Sequence, residues 1–174
     1  MVIYGEPLSG KSSVAWRLAR SLPEKTAVVS FDGLIQGSIA VRAGDEATEL
    51  EMVHIQARLL VANYMKNGYN VVVEGPFYYQ SGGRTHRHEP DIDQLVALMR
   101  QMTRKALVVQ LTSTREAIER RAAEAWREEE VPESVELAAL YRPRYGANSM
   151  TLDTSDMSLE TAATAIVERL MAST

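Results

Sequence analysis

The sequence contains no cysteine, which excludes a disulfide framework and a thiolate zinc site. It has no apolar run near the 20 residues that a membrane span needs, and nothing that resembles a signal peptide. It is also short of charge excess: 19 Lys and Arg against 23 Asp and Glu leave a net charge of −4. Partners that are polyanions leave a basic footprint, so neither nucleic acid nor a membrane surface is expected. There is no internal repeat, no low-complexity tract and no linker-like shift in composition. What is there, 45% hydrophobic and 24% charged residues in a chain of 174, suits a single domain over 1–174 with a core large enough to stand alone. A soluble, cytoplasmic domain is the expectation, and nothing in the pattern speaks to oligomeric state.

The strongest signal lies near the start. Gly5-Glu6-Pro7-Leu8-Ser9-Gly10-Lys11-Ser12 follows apolar Val2-Ile3-Tyr4 and precedes an amphipathic helix pattern, which is a Walker A phosphate loop in its strand-loop-helix context. Glycines let backbone N–H groups curl around phosphate oxygens, and the helix N-terminus adds partial positive charge. Gly5, Leu8, Ser9, Gly10, Lys11, Ser12 and Ser13 are the residues expected to hold the nucleotide, with Lys11 on the β- and γ-phosphates and Ser12 on Mg²⁺.

Periodicity orders the rest. Val14, Leu18 and Leu22 predict a helix over 11–21, and Thr26 to Phe31 a buried strand stopped by Asp32-Gly33. A helix is predicted over 46–66 with Asn67-Gly68 as its stop, then a strand from Tyr69 to Val73 ending at Glu74-Gly75-Pro76. Residues 77–89, with Gly82-Gly83 and the basic Arg84, His86, Arg87 and His88, read as a loop. Helical period returns at Ile92, Leu95, Val96, Met99 and Met102, before a strand from Ala106 to Leu111. Ser113 with Glu116 forms a capping-box pattern for a helix running toward Arg127. A weaker helix near 133–141, a strand at Met150 to Leu152, and a last helix capped by Ser158 complete the chain. Such alternation predicts an α/β fold with a mostly parallel sheet and helices on both faces. Ligands of such sheets bind at the carboxyl ends of the strands, so Asp32, Glu74 and the turn at Thr112 to Thr114 are expected beside the phosphate loop.

Phosphoryl transfer needs a cradle, a metal, a group to orient the nucleophile, and cations for the transition state. Asp32 suits a base for an acceptor hydroxyl or a ligand to metal-bound water; beside Gly33 it also suits a helix cap or turn. Glu74 ends its strand as a Walker B carboxylate does, so Ser12, Asp32 and Glu74 form the expected metal set. Arg120 and Arg127, seven apart on one predicted helix, share a face and are expected as lid arginines over the phosphates. The glutamates among them equally suit pairing on a solvated helix. His86 and His88 lack a third ligand for a metal site, His54 reads as packed or solvated, and Trp16 and Trp126 read as packing residues.

Together the loop, the strand ends at Asp32 and Glu74, the Glu119-Arg120 helix and the closing Leu152-Asp153-Thr154-Ser155 resemble a small P-loop kinase or AAA-type ATP-binding protein. The branch it resembles holds shikimate kinase, gluconate kinase, chloramphenicol phosphotransferase and the zeta-toxin-like proteins. That resemblance implies a P-loop NTPase fold with a five-stranded parallel core, a mobile lid around 113–132, and ATP-to-hydroxyl transfer with ATP and Mg²⁺. It also implies Asp32 as base or substrate ligand, Arg120 in the lid, and Asp153 and Thr154 near adenine. The chain departs from the pattern where shikimate kinase has a second aspartate, here Leu34, and where nucleoside monophosphate kinases have an arginine after the third strand, here Tyr78. Ala123 stands where a close-spaced second lid arginine is usual. The leading expectation is an ATP-dependent kinase of a small hydroxylated molecule. A nucleoside or nucleotide kinase and a non-catalytic nucleotide-binding regulator are the alternatives.

Overall fold

The computed structural model describes residues 1–38, 46–81, 84–87, 89–103, 105–141 and 148–172. Five parallel strands form the sheet: β1 (Val2–Gly5), β2 (Thr26–Ser30), β3 (Asn70–Gly75), β6 (Val108–Thr112) and β7 (Ser149–Asp153), in the order β2-β3-β1-β6-β7. Helices α1 (Lys11–Ser21), α2 (Phe31–Ser38), α3 (Glu46–Lys66), α4 (Glu89–Thr103), α5 (Arg115–Ala125), α6 (Val131–Ala138) and α7 (Leu159–Ala172) connect and cover it. Successive strand residues point to opposite faces, and both faces are apolar, which is why the strands read as unbroken hydrophobic runs. Val2, Tyr4, Val71 and Val73 pack on Val53, Ala57 and Val61 of α3 and Ile92, Leu95 and Met99 of α4. Ile3, Val72, Val109 and Leu111 pack on Val14, Ala15 and Leu18 of α1 and Ala162, Ala163 and Ile166 of α7. Among the described residues no helix is long and apolar enough to cross a membrane.

Three sequence expectations are corrected. Strand β2 stops at Ser30, and Phe31-Asp32-Gly33 open helix α2 instead of ending the strand. The Ser30 hydroxyl accepts the Gly33 N–H at 3.2 Å as a helix cap, and Phe31 turns inward onto Phe77 with ring centroids 4.6 Å apart. Residues 77–89 are not simply a loop, because β4 (Tyr78–Ser81) and β5 (Arg84–Arg87) pair antiparallel as a hairpin; Gly82, Gly83 and His88 lie outside the described residues. The capping residue of α5 is Thr114, accepting from Ala117 N at 3.3 Å, one position later than the capping-box pattern. Ser113 is otherwise engaged: its N–H donates to Glu6 and its hydroxyl accepts from Arg121. The two tryptophans also differ from expectation, with Trp16 half exposed on α1 and Trp126 86% exposed just past α5.

Candidate active site

Strand β1 delivers the chain into the phosphate loop, and the loop opens α1. At Gly10, φ is +89°, a left-handed conformation that glycine adopts without steric cost. Gly5 serves differently, because a Cβ there would stand 2.2 Å from the Leu111 carbonyl oxygen of β6. The loop carbonyls are occupied by side chains from around the site. Lys11 Nζ donates to Glu6 O at 2.8 Å, Arg121 Nη1 to Leu8 O at 3.1 Å, and Thr154 Oγ1 to Ser9 O at 3.0 Å. The first N–H groups of α1, which have no intrahelical acceptor, are left for an anion.

A cavity of about 660 Å³ lies over this loop. On its wall are Leu8, Ser9, Gly10, Lys11, Ser12 and Ser13 from the loop, Asp32 and Gln36 from α2, Arg121 from α5, Arg127 and Glu130 beyond it, and Thr154 after β7. Met157, Leu159, Ala162 and Ala125 give it an apolar side. The structure thus brings most of the expected residues together. Gly5 lies beneath the loop, and Glu74 is fully buried, reaching the site through Ser12, whose hydroxyl donates to Glu74 Oε2 at 3.1 Å. Asp153 is off the wall as well: it accepts from Ser155 N at 2.9 Å and Ser155 Oγ at 2.5 Å, bonds that hold its carboxyl below the usual range.

The arginines are rearranged relative to expectation. Arg120 lies outside the cavity wall and donates to Ser155 O at 2.7 Å. Arg121 is the helix arginine on the wall, donating also to Ser113 Oγ at 2.7 Å, Thr154 Oγ1 at 3.2 Å and Thr154 O at 2.5 Å. Helical counting from the buried face holds the signal: Arg121 is four beyond Ala117 and three beyond Ile118, whereas Arg120 is turned about 100° away. Arg120 and Arg127 do not share a helix face, because α5 ends at Ala125.

Burial shapes the charges. It pushes the Lys11 ammonium below its ordinary value, opposed by Glu74, Asp32 and Glu6. It raises the Glu74 carboxyl, opposed by the Ser30 hydroxyl and Lys11, and it raises Glu6, opposed by backbone N–H groups, Lys11 and Arg121. Glu6 is a site residue that the sequence reading left unassigned; it accepts from Ser113 N at 2.6 Å and so fastens the loop to the turn before α5. Among the described residues, Glu74 Oε1 is buried with no well-formed hydrogen bond. Among the described residues no three His, Cys, Asp or Glu side chains converge as a metal cage. Mg²⁺ does not require one, because it keeps water and phosphate ligands beside one or two protein oxygens. Ser12 with the half-satisfied Glu74 behind it fits such an ion.

The AAA domain family pattern matches residues 1–146. No curated protein matches the sequence. Among solved structures, APE1195 superposes with a TM-score of 0.68 at 16% identity over 98% of this chain and 93% of that one. A gluconokinase from Sinorhizobium meliloti gives 0.60 at 15% identity over 99% and 89%. The APS kinase of Mycobacterium tuberculosis, in complex with AMPPNP and APS, gives 0.63 at 19% identity over 98% and 96%. At these identities the likeness establishes the fold alone, the P-loop NTPase fold.

Proposed function

We propose, from the premise that this chain belongs to the AAA domain family, that it is an ATP-dependent kinase transferring the γ-phosphoryl group to a hydroxyl of a small molecule. The observation that carries this reading is Asp32, an exposed carboxylate on the wall of the cavity that also presents Lys11 and Ser12. Ser30 caps α2, so Asp32 is not consumed as the cap and stands ready to accept a proton from an acceptor hydroxyl.

The remaining roles follow from the wall. The loop N–H groups and Lys11 hold and neutralise phosphate oxygens, and Arg121 keeps the loop in shape through Leu8 O. When bound, magnesium nucleotide supplies the phosphoryl group and the metal charge; Ser12 and Glu74 are the residues that would hold the ion. Asp32 would take the hydroxyl proton as the acceptor oxygen bonds to the γ-phosphorus and the bond from that phosphorus to the β,γ-bridging oxygen breaks, releasing ADP; Gln36, one turn along α2, offers hydrogen bonds to the acceptor's other polar groups. The segment 113–132 forms the lid, whose closure excludes water from the transfer.

The test is ADP release with MgATP across a panel of hydroxylated metabolites, nucleosides, and aminocyclitol and phenicol antibiotics. An acceptor should stimulate turnover, and Asp32→Asn should lower that turnover by about 100-fold or more while MgATP affinity stays within a few-fold. Unchanged turnover in the variant sinks the base role. Tight nucleotide binding with no stimulation by any acceptor shifts the reading to a non-catalytic nucleotide-binding protein.

A further inference from the structure

Helix α5 ends in a reversal that places an arginine where no helix face would have put it. Trp126 has φ +57°, its N–H reaches Ala123 O at 3.4 Å, and the Arg127 N–H reaches Ala122 O at 2.9 Å, the paired bonds of a left-handed helix cap. Glycine is the usual residue there. The reversal carries Arg127 off the helix and onto the wall it shares with Lys11 and Asp32. A single 3₁₀ turn, Glu128–Glu130, follows, closed by Glu130 N to Arg127 O at 3.0 Å.

That turn sets Glu130 against Arg127 side-on. Arg127 Nε donates to Glu130 Oε1 and Nη2 to Glu130 Oε2, each at 2.5 Å. A guanidinium carries five N–H donors in one rigid plane, so this fork uses two and leaves three, on Nη1 and Nη2, with a fixed direction. An exposed ion pair on an ordinary helix surface contributes little. This one differs in being bidentate, in having both partners on the cavity wall, and in having Glu130 only 28% exposed. A solitary arginine would bring full charge to the site with many rotamers; the fork gives up part of the charge and gains direction.

We infer that Glu130 is a positioning residue, holding one edge of the Arg127 guanidinium so that the remaining donors meet the terminal phosphate of a nucleotide in the loop. The inference rests on the nucleotide-binding part of the proposed function. It makes Glu130 matter for a triphosphate and not for a diphosphate.

Calorimetric titration of the whole chain with MgADP and with MgAMPPNP tests it, using wild type, Glu130→Gln, Arg127→Ala and the double variant. Glu130→Gln should hold MgADP within about twofold of wild type and weaken MgAMPPNP roughly tenfold. In the Arg127→Ala background the same change should alter neither affinity, because Glu130 acts only through Arg127. Equal MgAMPPNP affinity, tighter MgAMPPNP binding from release of a competing carboxylate, an equal loss of both nucleotides, or additive losses in the double variant would each overturn the inference. Failure of the wild-type chain to bind either nucleotide is a separate result, visible before any substitution, and removes the nucleotide reading and this inference together.

Discussion

Glu74 shows how much of this site is set by desolvation. Its side chain is fully buried, one oxygen accepts from Ser12, and among the described residues the other has no well-formed hydrogen bond. Because burial raises its carboxyl, the folded state binds that proton more tightly than the unfolded chain. Its contribution to stability is therefore present below the ordinary value of 4.5 and is lost as pH rises through the raised one. Urea unfolding of the ligand-free protein at a series of pH values from 4.5 upward should show wild-type stability falling more steeply than that of Glu74→Gln. Parallel curves would remove Glu74 as the source. Glu6 keeps the same sign of dependence in both proteins, and Lys11 has the opposite one, gaining stability as pH rises through its lowered value. At this scale the Walker residues were legible because local backbone geometry demands them at fixed spacing. Arg121 was not singled out among Arg115, Arg120, Arg121 and Arg127, because its selection depends on which side of α5 is buried.

The elements tell a similar story at their ends. Helix α5 stops where Trp126 adopts the left-handed conformation, which costs a non-glycine residue roughly 1–2 kcal/mol. The indole is 86% exposed, so little packing offsets that cost. Trp126→Gly should keep the reversal and raise stability by about 1 kcal/mol, or about 2–4 °C in Tm for a domain of this size. A fall in Tm would mean that the indole packs in solution. Helix interiors such as 11–21 and 46–66 were legible from period alone, and α7 was also read with its Ser158 cap, which accepts from Thr161 N at 3.1 Å. The opening of α2 was hidden because Phe31-Asp32-Gly33 after an apolar run carries the local signature of a strand end. Its helical start depends on the Ser30 cap and on the pocket that Phe77 and His54 make for Phe31.

At the scale of the molecule, β1 lies between β3 and β6, so the loop leaving its carboxyl end sits where the chain connections diverge to either side. Elements far apart in sequence meet there: Glu6 with Ser113, Leu8 with Arg121, and Ser9 with Thr154. A ligand that binds this convergence only in the folded state stabilises the whole domain. MgATP at about 100 times its Kd should add about 2.7 kcal/mol, a rise of roughly 5–10 °C in Tm, and Lys11→Ala should abolish most of that rise. A thermal melt checks this, and an undiminished shift in the variant would place nucleotide binding elsewhere. The sequence by itself determined the phosphate loop, the alternation of strands and helices, and hence the P-loop NTPase fold, because glycine geometry and hydrophobic period act over a few residues. Only the tertiary structure decided that Arg121 and Arg127 stand on the cavity wall while Arg120 does not, that Glu74 acts from behind Ser12, and that Glu130 faces Arg127. Those choices depend on helix rotation, on where a helix stops, and on what lies across the sheet edge, none of which a local pattern encodes.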